Sequence, residues 1–197
     1  MESALINVLI FWMLTTPHEF AHAWVATKLG DDTPTLEGRV TLNPLAHVDW
    51  LGTVLLPLVM SLSGAGFIGW GKPVNTNPRK LQWGLNGMAL VAMAGPASNV
   101  IFAVVLLAAA AHSESMSPLL GNAARLSLYL AIFNMIPVPP LDGSKLLLAA
   151  RVPFVVYNEL ARFGFLLILI AMSATSLGLW MSNLSWNTTR AIYGWFT

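Results

Sequence analysis

The stretch that decides the fold lies at the start of the chain, where residues 4–29 read ALINVLIFWMLTTPHEFAHAWVATKL. At 1.5 Å per residue, a helix of this length is about 39 Å long, enough to cross a hydrocarbon core of about 30 Å. The residues before it, Met1-Glu2-Ser3, include no basic side chain, and no small-residue cleavage site follows. We therefore expect a retained membrane helix and not a signal peptide.

The composition of the whole chain also indicates a membrane environment. Of its 197 residues, 56% are hydrophobic and 10% are charged, whereas soluble domains carry roughly 25% charged residues. The hydrophobic content excludes a disordered chain, and a net charge of +1 gives no field that would attract nucleic acid. We predict an all-α polytopic membrane protein, a bundle of about four to six transmembrane or re-entrant helices.

The absence of cysteine restricts the chemistry of the chain. Disulfides, thiol nucleophiles, iron–sulfur clusters and Cys-based zinc sites are all excluded. Any metal ion would therefore have to be held by His, Asp, Glu or Asn.

Further apolar segments follow the first one. Membrane helices are predicted over residues 84–111, 118–136 and 163–181, and a mixed helix near the membrane surface over residues 143–162. The residues after Met181 include Trp and Tyr side chains, which are typical of a membrane interface.

Two stretches between the first and second predicted helices are less regular. Residues 50–70 are apolar but interrupted by Pro57 and by a group of Ser and Gly residues, namely Ser61, Ser63, Gly64, Gly66 and Gly69. A re-entrant segment is therefore an alternative to a full span there. Residues 38–43 (GRVTLN) alternate weakly in polarity and predict a short strand or hairpin near the membrane surface. The edge of such a strand would be open to an extended peptide.

The distribution of basic residues indicates an orientation. If residues 50–70 do not cross, one side of the membrane carries Lys28, Arg39, Lys72, Arg79, Lys80, Lys145, Arg151 and Arg162. Loops rich in Lys and Arg lie on the cytoplasmic side of most membrane proteins. We therefore predict cytoplasmic basic loops and an external N-terminus.

A candidate metal site lies within the first helix, in the stretch His18-Glu19-Phe20-Ala21-His22. Residues four apart share a helix face, so both imidazoles can reach one ion, with Glu19 beside them. This is the H-E-x-x-H arrangement of two zinc ligands and a carboxylate that can act as general base. Ionisable side chains inside a membrane helix each cost at least about 2.5 kcal/mol on insertion scales, which favours a functional role. The alternative is a polar patch in which the three side chains satisfy one another.

A catalytic zinc ion takes three protein ligands, so a third ligand must come from elsewhere in the chain. The candidates are His47, Asp49, His112, Glu114, Asp142 and Glu159. Asp142 is preferred because it follows a predicted membrane helix and a proline run, with Gly143 behind it to permit a tight turn. A plain Asp-Gly turn is the alternative for this pair.

Three motifs in this order resemble the site-2 protease family of intramembrane zinc metalloproteases. They are His18-Glu19-Phe20-Ala21-His22, Gly95-Pro96-Ala97-Ser98-Asn99, and residues 134–143 (NMIPVPPLDG). Residues 38–44 (GRVTLNP) and 69–74 (GWGKPV) look like the short bacterial and archaeal branch of that family. The resemblance extends over most of residues 10–150. It departs at Asn75-Thr76-Asn77, where the family often has a Pro-Val run.

The resemblance implies a role for each site residue. His18, His22 and Asp142 would bind one zinc ion, and Glu19 would serve as general base and later as general acid. Asn134 would help to stabilise the oxyanion, and Asn99 would help to hold the site or the substrate. His47 and Asp49 are interpreted as surface or structural residues.

The resemblance also implies the function and the setting of the chain. It predicts one metalloprotease domain over residues 1–197, with a core over 4–150 and a C-terminal membrane helix and tail over 158–197. The enzyme would cut membrane proteins or membrane peptides in or near their transmembrane segments, as in regulated intramembrane proteolysis. It would work in the lipid bilayer of a prokaryotic plasma membrane, with no nucleic-acid partner. A homo-oligomer or a regulatory membrane partner is compatible with the sequence.

Two other functions are alternatives to the protease. In a transporter or channel, the His, Glu and Asp cluster would bind a passing cation or relay protons. Transporters usually have broken helices in two related halves, and the sequence has no such symmetry. A catalytically inactive scaffold is the other alternative, against which the intact Glu19 and the ligand set both argue.

Overall fold

The computed structural model describes residues 2–63 and 69–197, and within them eight α-helices and no strand occur. The helices are α1 (Glu2–Lys28), α2 (Thr33–Leu36), α3 (Leu56–Ser63), α4 (Leu85–Ala111), α5 (Ser117–Asn134), α6 (Gly143–Ala149), α7 (Phe154–Ala174) and α8 (Leu177–Tyr193). A 3-10 turn at Pro44–Ala46 and a π-helix at Trp50–Leu55 lie before α3. The predicted all-α class is confirmed.

Of the helices just described, three are long and apolar enough to cross a membrane: Ala4–Lys28 within α1, Leu85–Ala111 and Phe154–Ala174. Helix α4 packs against α1 and α5, and α8 lies against α4 and α5. Where α4, α5 and α8 meet, the buried residues are Ala103, Leu107, Ala124, Leu128 and Ile192. The chain is therefore an integral membrane protein whose core is the bundle of α1, α4, α5 and α8.

The predicted helix over residues 143–162 is wrong as a single element, because α6 ends at Ala149 and α7 begins at Phe154. Between them, Arg151 has a positive φ of 62°, and Pro153 follows at the N-cap of α7. A proline ring inside a helix clashes with the preceding turn, so Pro153 starts a new helix and does not continue the old one. The span predicted over residues 163–181 is correspondingly shifted to Phe154–Ala174.

Residues predicted to form an interfacial tail instead form most of α8. The buried face of α8 includes Met181, Ser185, Thr189 and Ile192. The Ser185 hydroxyl donates to the Ser182 carbonyl at 2.9 Å, and the Thr189 hydroxyl donates to the Ser185 carbonyl at 2.7 Å. Because these hydroxyls are satisfied within the helix, α8 can bury a face that is polar in sequence.

Residues 29–84 leave the bundle and return to the end from which they started. The Gln82 backbone N–H donates to the Leu29 carbonyl at 2.8 Å, which joins the end of α1 to the approach to α4. In between, the chain reaches far along α1, where the Trp12 indole donates to the Pro44 carbonyl at 3.1 Å. Trp12 lies about 24 Å along the helix from Lys28. Whether residues 50–70 re-enter the membrane stays a prediction, and Gly64 and Gly66 lie outside the described residues.

The predicted strand or hairpin over residues 38–43 is wrong, because this stretch forms turns and irregular backbone. Gly38 turns the chain with a φ of 66°. The buried Arg39 guanidinium donates to the Lys72 carbonyl, and the His47 ring donates to the Thr41 carbonyl at 2.8 Å. Backbone turns, such as Arg39 N–H to the Pro34 carbonyl at 2.8 Å, and side chains therefore provide the hydrogen bonds described for this region, and no neighbouring strand does.

An extended stretch, residues 69–77, runs beside α1 and is here named the covering segment. At its beginning, the Trp70 N–H donates to the Gly52 carbonyl at 3.0 Å, and the Thr53 hydroxyl donates to the Trp70 carbonyl at 2.8 Å. At its end, the Asn77 N–H donates to the Asp31 carboxylate at 2.6 Å. The covering segment is thus held at both ends and passes the middle of α1.

Candidate metal centre

The first three site residues lie in the middle of α1. His18, Glu19 and His22 are each less than 9% exposed. The two imidazole rings meet edge to face with centroids 4.7 Å apart, as expected for residues four apart on one helix face. Two histidines and a carboxylate are therefore buried together within a candidate membrane span.

Asp142 reaches the histidines from the turn between α5 and α6. Gly143 allows the chain to fold back tightly there, since a methyl group at this position would lie 2.3 Å from the Met135 carbonyl oxygen. The Oδ2 atom of Asp142 lies 3.1 Å from Nε2 of His18 and 3.0 Å from Nε2 of His22. The two histidines and Asp142, more than 100 positions apart in sequence, thus form one buried cluster of polar side chains.

The geometry of this group fits a metal ion. The two Nε2 atoms are 3.1 Å apart, so the three polar atoms form a nearly equilateral triangle. Each corner of such a triangle is about 1.8 Å from its centre, slightly less than the roughly 2.0–2.2 Å of zinc–nitrogen and zinc–oxygen bonds. The spacing of the three atoms is therefore close to that expected for ligands of one ion. In the described part of the chain, His18, His22 and Asp142 are the group that could hold a metal.

Hydrogen bonds behind the histidines support the same assignment. Nδ1 of His22 lies 2.7 Å from the Val91 carbonyl, which can only accept, so Nδ1 carries the proton and Nε2 is left as a ligand. Nδ1 of His18 lies 3.1 Å from the Asn99 amide. Asn99 is completely buried, and its Oδ1 has no hydrogen-bond partner within the described residues. Turning the amide by 180° would let Oδ1 accept from a protonated Nδ1, which is the arrangement that a metal on Nε2 requires.

The charge of Asp142 suits a metal ligand. Burial opposes its ionisation, but His22, His18 and Lys145 together hold the pKa of this carboxyl well below its ordinary value. The side chain is therefore a carboxylate at neutral pH. Lys145 contributes directly, because its Nζ lies 2.8 Å from Oδ1 of Asp142.

Gly95 brings helix α4 directly against the two imidazoles. A methyl group on Gly95 would lie 2.3 Å from Nε2 of His22 and 2.7 Å from Cε1 of His18. Real Cβ atoms do not approach other atoms so closely. A side chain at position 95 is therefore incompatible with the observed ring positions.

The covering segment contacts the Glu19 carboxylate. The Val74 N–H donates to Oε2 of Glu19 at 3.2 Å, and Gly71 approaches Oε1 closely enough that a methyl group would lie 3.3 Å from it. The segment is fixed at Lys72, whose N–H donates to the His47 carbonyl at 2.9 Å and whose carbonyl accepts from Arg39. Buried polar contacts thus set the position of the Glu19 carboxylate.

A cavity of about 470 Å³ opens beside these groups. Its lining includes apolar residues of α7 and of the covering segment. The polar lining residues are Thr15, His18, Glu19, His22, Asp49, Thr76, Asn134, Asp142 and Lys145. Asn134 is half-buried, and its amide donates one N–H to the Leu130 carbonyl at 3.0 Å. An amide nitrogen has two N–H groups, so a second one remains for a molecule in the cavity.

The structure brings His18, Glu19, His22, Asn134 and Asp142 to this one cavity and leaves Asn99 behind His18, outside its lining. Of the other third-ligand candidates, His47 is buried with its ring on the Thr41 carbonyl. Asp49 accepts from the Gly52 N–H at 2.8 Å and caps the π-helix. Asp49 also lines the cavity, whereas His47 does not. The interpretation of these two residues as surface or structural stays a prediction.

Four contributors to the site were not predicted from the sequence: the Val91 carbonyl, the Val74 N–H, Gly95 as a contact of the histidines, and Lys145. Backbone groups carry no sequence signal. Lys145 lies three residues after Asp142, a spacing that permits an ion pair on a helix. This spacing is the sequence feature from which the contact could have been predicted.

Comparisons with known proteins agree with this metal centre. The family model for peptidase family M50 matches residues 108–172. A protein named as a zinc metalloprotease, YwhC of Bacillus subtilis, is 40% identical over an alignment of 144 positions, and the alignment covers 67% of this chain and 63% of the relative. Another protein so named, Rip2 of Mycolicibacterium smegmatis, is 30% identical over an alignment of 190 positions, and the alignment covers 91% of this chain and 71% of the relative. No solved structure matches the chain.

A buried His, His and Asp group in a helical membrane bundle defines the class of membrane metalloproteins. Within that class, the chain belongs to peptidase family M50. It spans 63% of the length of the Bacillus relative and 71% of that of the Mycolicibacterium relative.

Proposed function

We propose that the chain is an intramembrane zinc metalloendopeptidase that hydrolyses peptide bonds in or near transmembrane segments of membrane proteins. The observation that carries the proposal is the depth of the site. His18 lies about 15 Å along the helix from Lys28, near the middle of a candidate membrane span. The cavity beside it holds the candidate metal ligands and Glu19 together. Membership of peptidase family M50 supports the same conclusion.

His18, His22 and Asp142 would hold the zinc ion. When bound, zinc acts as a Lewis acid and lowers the pKa of water at the site. Glu19 would accept a proton from a water molecule in the cavity and would later donate it to the leaving amine. The Val74 N–H holds Oε2 of Glu19, which leaves Oε1 as the proton acceptor.

Asn134 would stabilise the negative charge that develops on the carbonyl oxygen of the substrate. Its side chain lines the cavity together with Glu19 and Asp142. The N–H that is not bound to Leu130 can donate to that oxygen. A neutral amide suits this task because it adds no charge to a buried site.

The substrate must present an unwound stretch to this cavity. A helix hides its carbonyls in internal hydrogen bonds, so local unwinding precedes attack. The enzyme would act in a prokaryotic plasma membrane with its basic loops in the cytoplasm, as the positions of Lys and Arg suggest.

Metal removal tests the proposed function. We expect the chain, reconstituted in liposomes, to cleave a peptide with one membrane helix, and a chelator such as 1,10-phenanthroline to abolish cleavage. Adding zinc should restore cleavage, because the ion is part of the catalytic group. The measurement is product formation by mass spectrometry alongside zinc content per chain. Cleavage that survives complete removal of metal would contradict the proposal, as would cation flux across the liposomes without any cleavage.

The position of Asn99 behind His18 gives a second prediction. We propose that Asn99 orients His18 and does not touch the substrate. We expect Asn99→Ala to weaken zinc binding by about 10- to 100-fold, the usual effect of losing a partner of a ligating histidine. Zinc affinity is measured by competition with a chromogenic chelator.

Asn122→Ala provides the matched control for Asn99→Ala. It removes a hydrogen bond between α5 and α1, from Asn122 to Asn7 at 2.9 Å, away from the metal ligands. Zinc affinity should stay unchanged in this control. Equal zinc affinities of the two variants would show that Asn99 serves helix packing alone.

A further inference from the structure

The two oxygens of Asp142 have different partners. Oδ2 lies against the two histidine Nε2 atoms at 3.1 and 3.0 Å. Oδ1 accepts from the Lys145 ammonium group at 2.8 Å. The carboxylate is therefore oriented with one oxygen toward the candidate metal position and the other toward a cation of the chain.

The position of Lys145 makes this contact more than a surface ion pair. Asp142 is buried, while the Lys145 side chain is 29% exposed and lines the cavity. Lys145 lies on α6, one turn after Asp142, so the same short helix positions both partners. By contrast, the ion pair of Lys80 with Asp32 has side chains that are 43% and 61% exposed, and it lies outside the cavity lining.

We propose that Lys145 is a positioning residue that keeps Asp142 a one-oxygen ligand. The inference rests on the proposed zinc site. A carboxylate whose Oδ1 is bound to an ammonium group cannot turn both oxygens to the metal without breaking that bond. With one oxygen from Asp142 and one nitrogen from each histidine, the protein supplies three ligand atoms and leaves a place for water.

Removal of Lys145 frees Oδ1 of Asp142. The carboxylate can then bind the metal through both oxygens, which raises the coordination number and competes with water for the remaining place. The protein ligands themselves stay the same. Lys145 thus controls how the site binds its metal, and the way the metal is bound can be measured independently of catalysis.

Cobalt substitution tests this inference, because the visible absorption of Co²⁺ is strong in four-coordinate sites and weak in sites of higher coordination. The purified chain is stripped of metal and loaded with one Co²⁺ per chain. For Lys145→Met we expect the absorption to fall about two-fold or more, and kcat to fall while KM is little changed. Lys145→Arg keeps the charge and should retain the spectrum of the original chain. Lys80→Met, which breaks the exposed ion pair with Asp32, is the matched control and should also retain it.

Two results would overturn the inference. The first is an unchanged cobalt spectrum in Lys145→Met. The second is a folded Lys145→Met that no longer binds Co²⁺, because Lys145 would then be needed for metal binding and not only for the way in which Asp142 binds the metal. Folding is checked by circular dichroism, and Lys145→Ala replaces the Met variant if that one does not fold. Failure of the unsubstituted chain to bind metal or to cleave would contradict the proposed function. If the unsubstituted chain binds metal and cleaves, but Lys145→Met has the same cobalt spectrum, only the inference is contradicted.

Discussion

Glu19→Gln should lower cleavage of a membrane-helix substrate by about 10²- to 10⁴-fold, the usual contribution of a general base. Gln has nearly the shape of Glu, so the hydrogen bond from the Val74 N–H can still form on the amide oxygen. It cannot accept a proton from water at neutral pH. Glu19 is not one of the three residues that supply ligand atoms. Zinc content should therefore stay at one ion per chain. The measurement is the initial rate in liposomes together with metal analysis of the same sample.

Glu37→Gln is the matched control for this substitution. The Glu37 carboxylate is exposed and accepts from the Asn75 amide at 3.0 Å, outside the cavity lining. It should cleave at the rate of the original chain. An undiminished rate in Glu19→Gln with zinc bound would remove Glu19 from the mechanism.

Gly95→Ala should have the second largest effect on cleavage. It should act by weakening zinc binding and not by removing the general base. The added methyl would lie 2.3 Å from Nε2 of His22, so either α4 moves away or the ring turns. Either movement separates His22 from the Val91 carbonyl or from Asp142. We expect zinc affinity to fall by about 10- to 100-fold, the usual effect of losing a contact that supports a metal ligand. Cleavage should fall with it. Affinity is measured by chelator competition.

Gly121→Ala is the control for Gly95→Ala, since Gly121 also lies in a helix and a methyl there has no neighbour within 4 Å. This control should bind zinc as the original chain does and be slightly more stable, because alanine is the better helix former. Normal zinc affinity in Gly95→Ala would mean that the histidines tolerate a bulkier α4, contrary to the close packing observed.

The parts of the fold that could be predicted are those with a strong local signal. The first membrane helix follows from its length and apolar composition, and the pairing of His18 with His22 follows from helical spacing. Asp142 is different, because no local pattern links it to α1. Its selection came from the turn chemistry of Asp-Gly and from the family resemblance, and the structure brings it within 3.1 Å of His18.

Other features depend on contacts that a sequence pattern does not contain. The Trp and Tyr side chains after Met181 suggested an interfacial tail, but α8 forms there and buries Ser and Thr hydroxyl groups that bond to its own carbonyls. The weak alternation over residues 38–43 suggested a strand, but Arg39 is drawn into the interior by the Lys72 carbonyl. Both errors arise because a polar side chain can be buried wherever a backbone group satisfies it.

The separation of His18 from Asp142 in sequence has a consequence for biosynthesis. The two ligands are 124 residues apart, and at 5–20 residues per second a ribosome needs on the order of ten seconds to travel from one to the other. During that time the first helix is already made, but the metal group lacks its carboxylate. A chain still attached to the ribosome at this stage therefore has no complete metal group, and the proposed hydrolysis has to wait until the turn after the fifth helix has been synthesised.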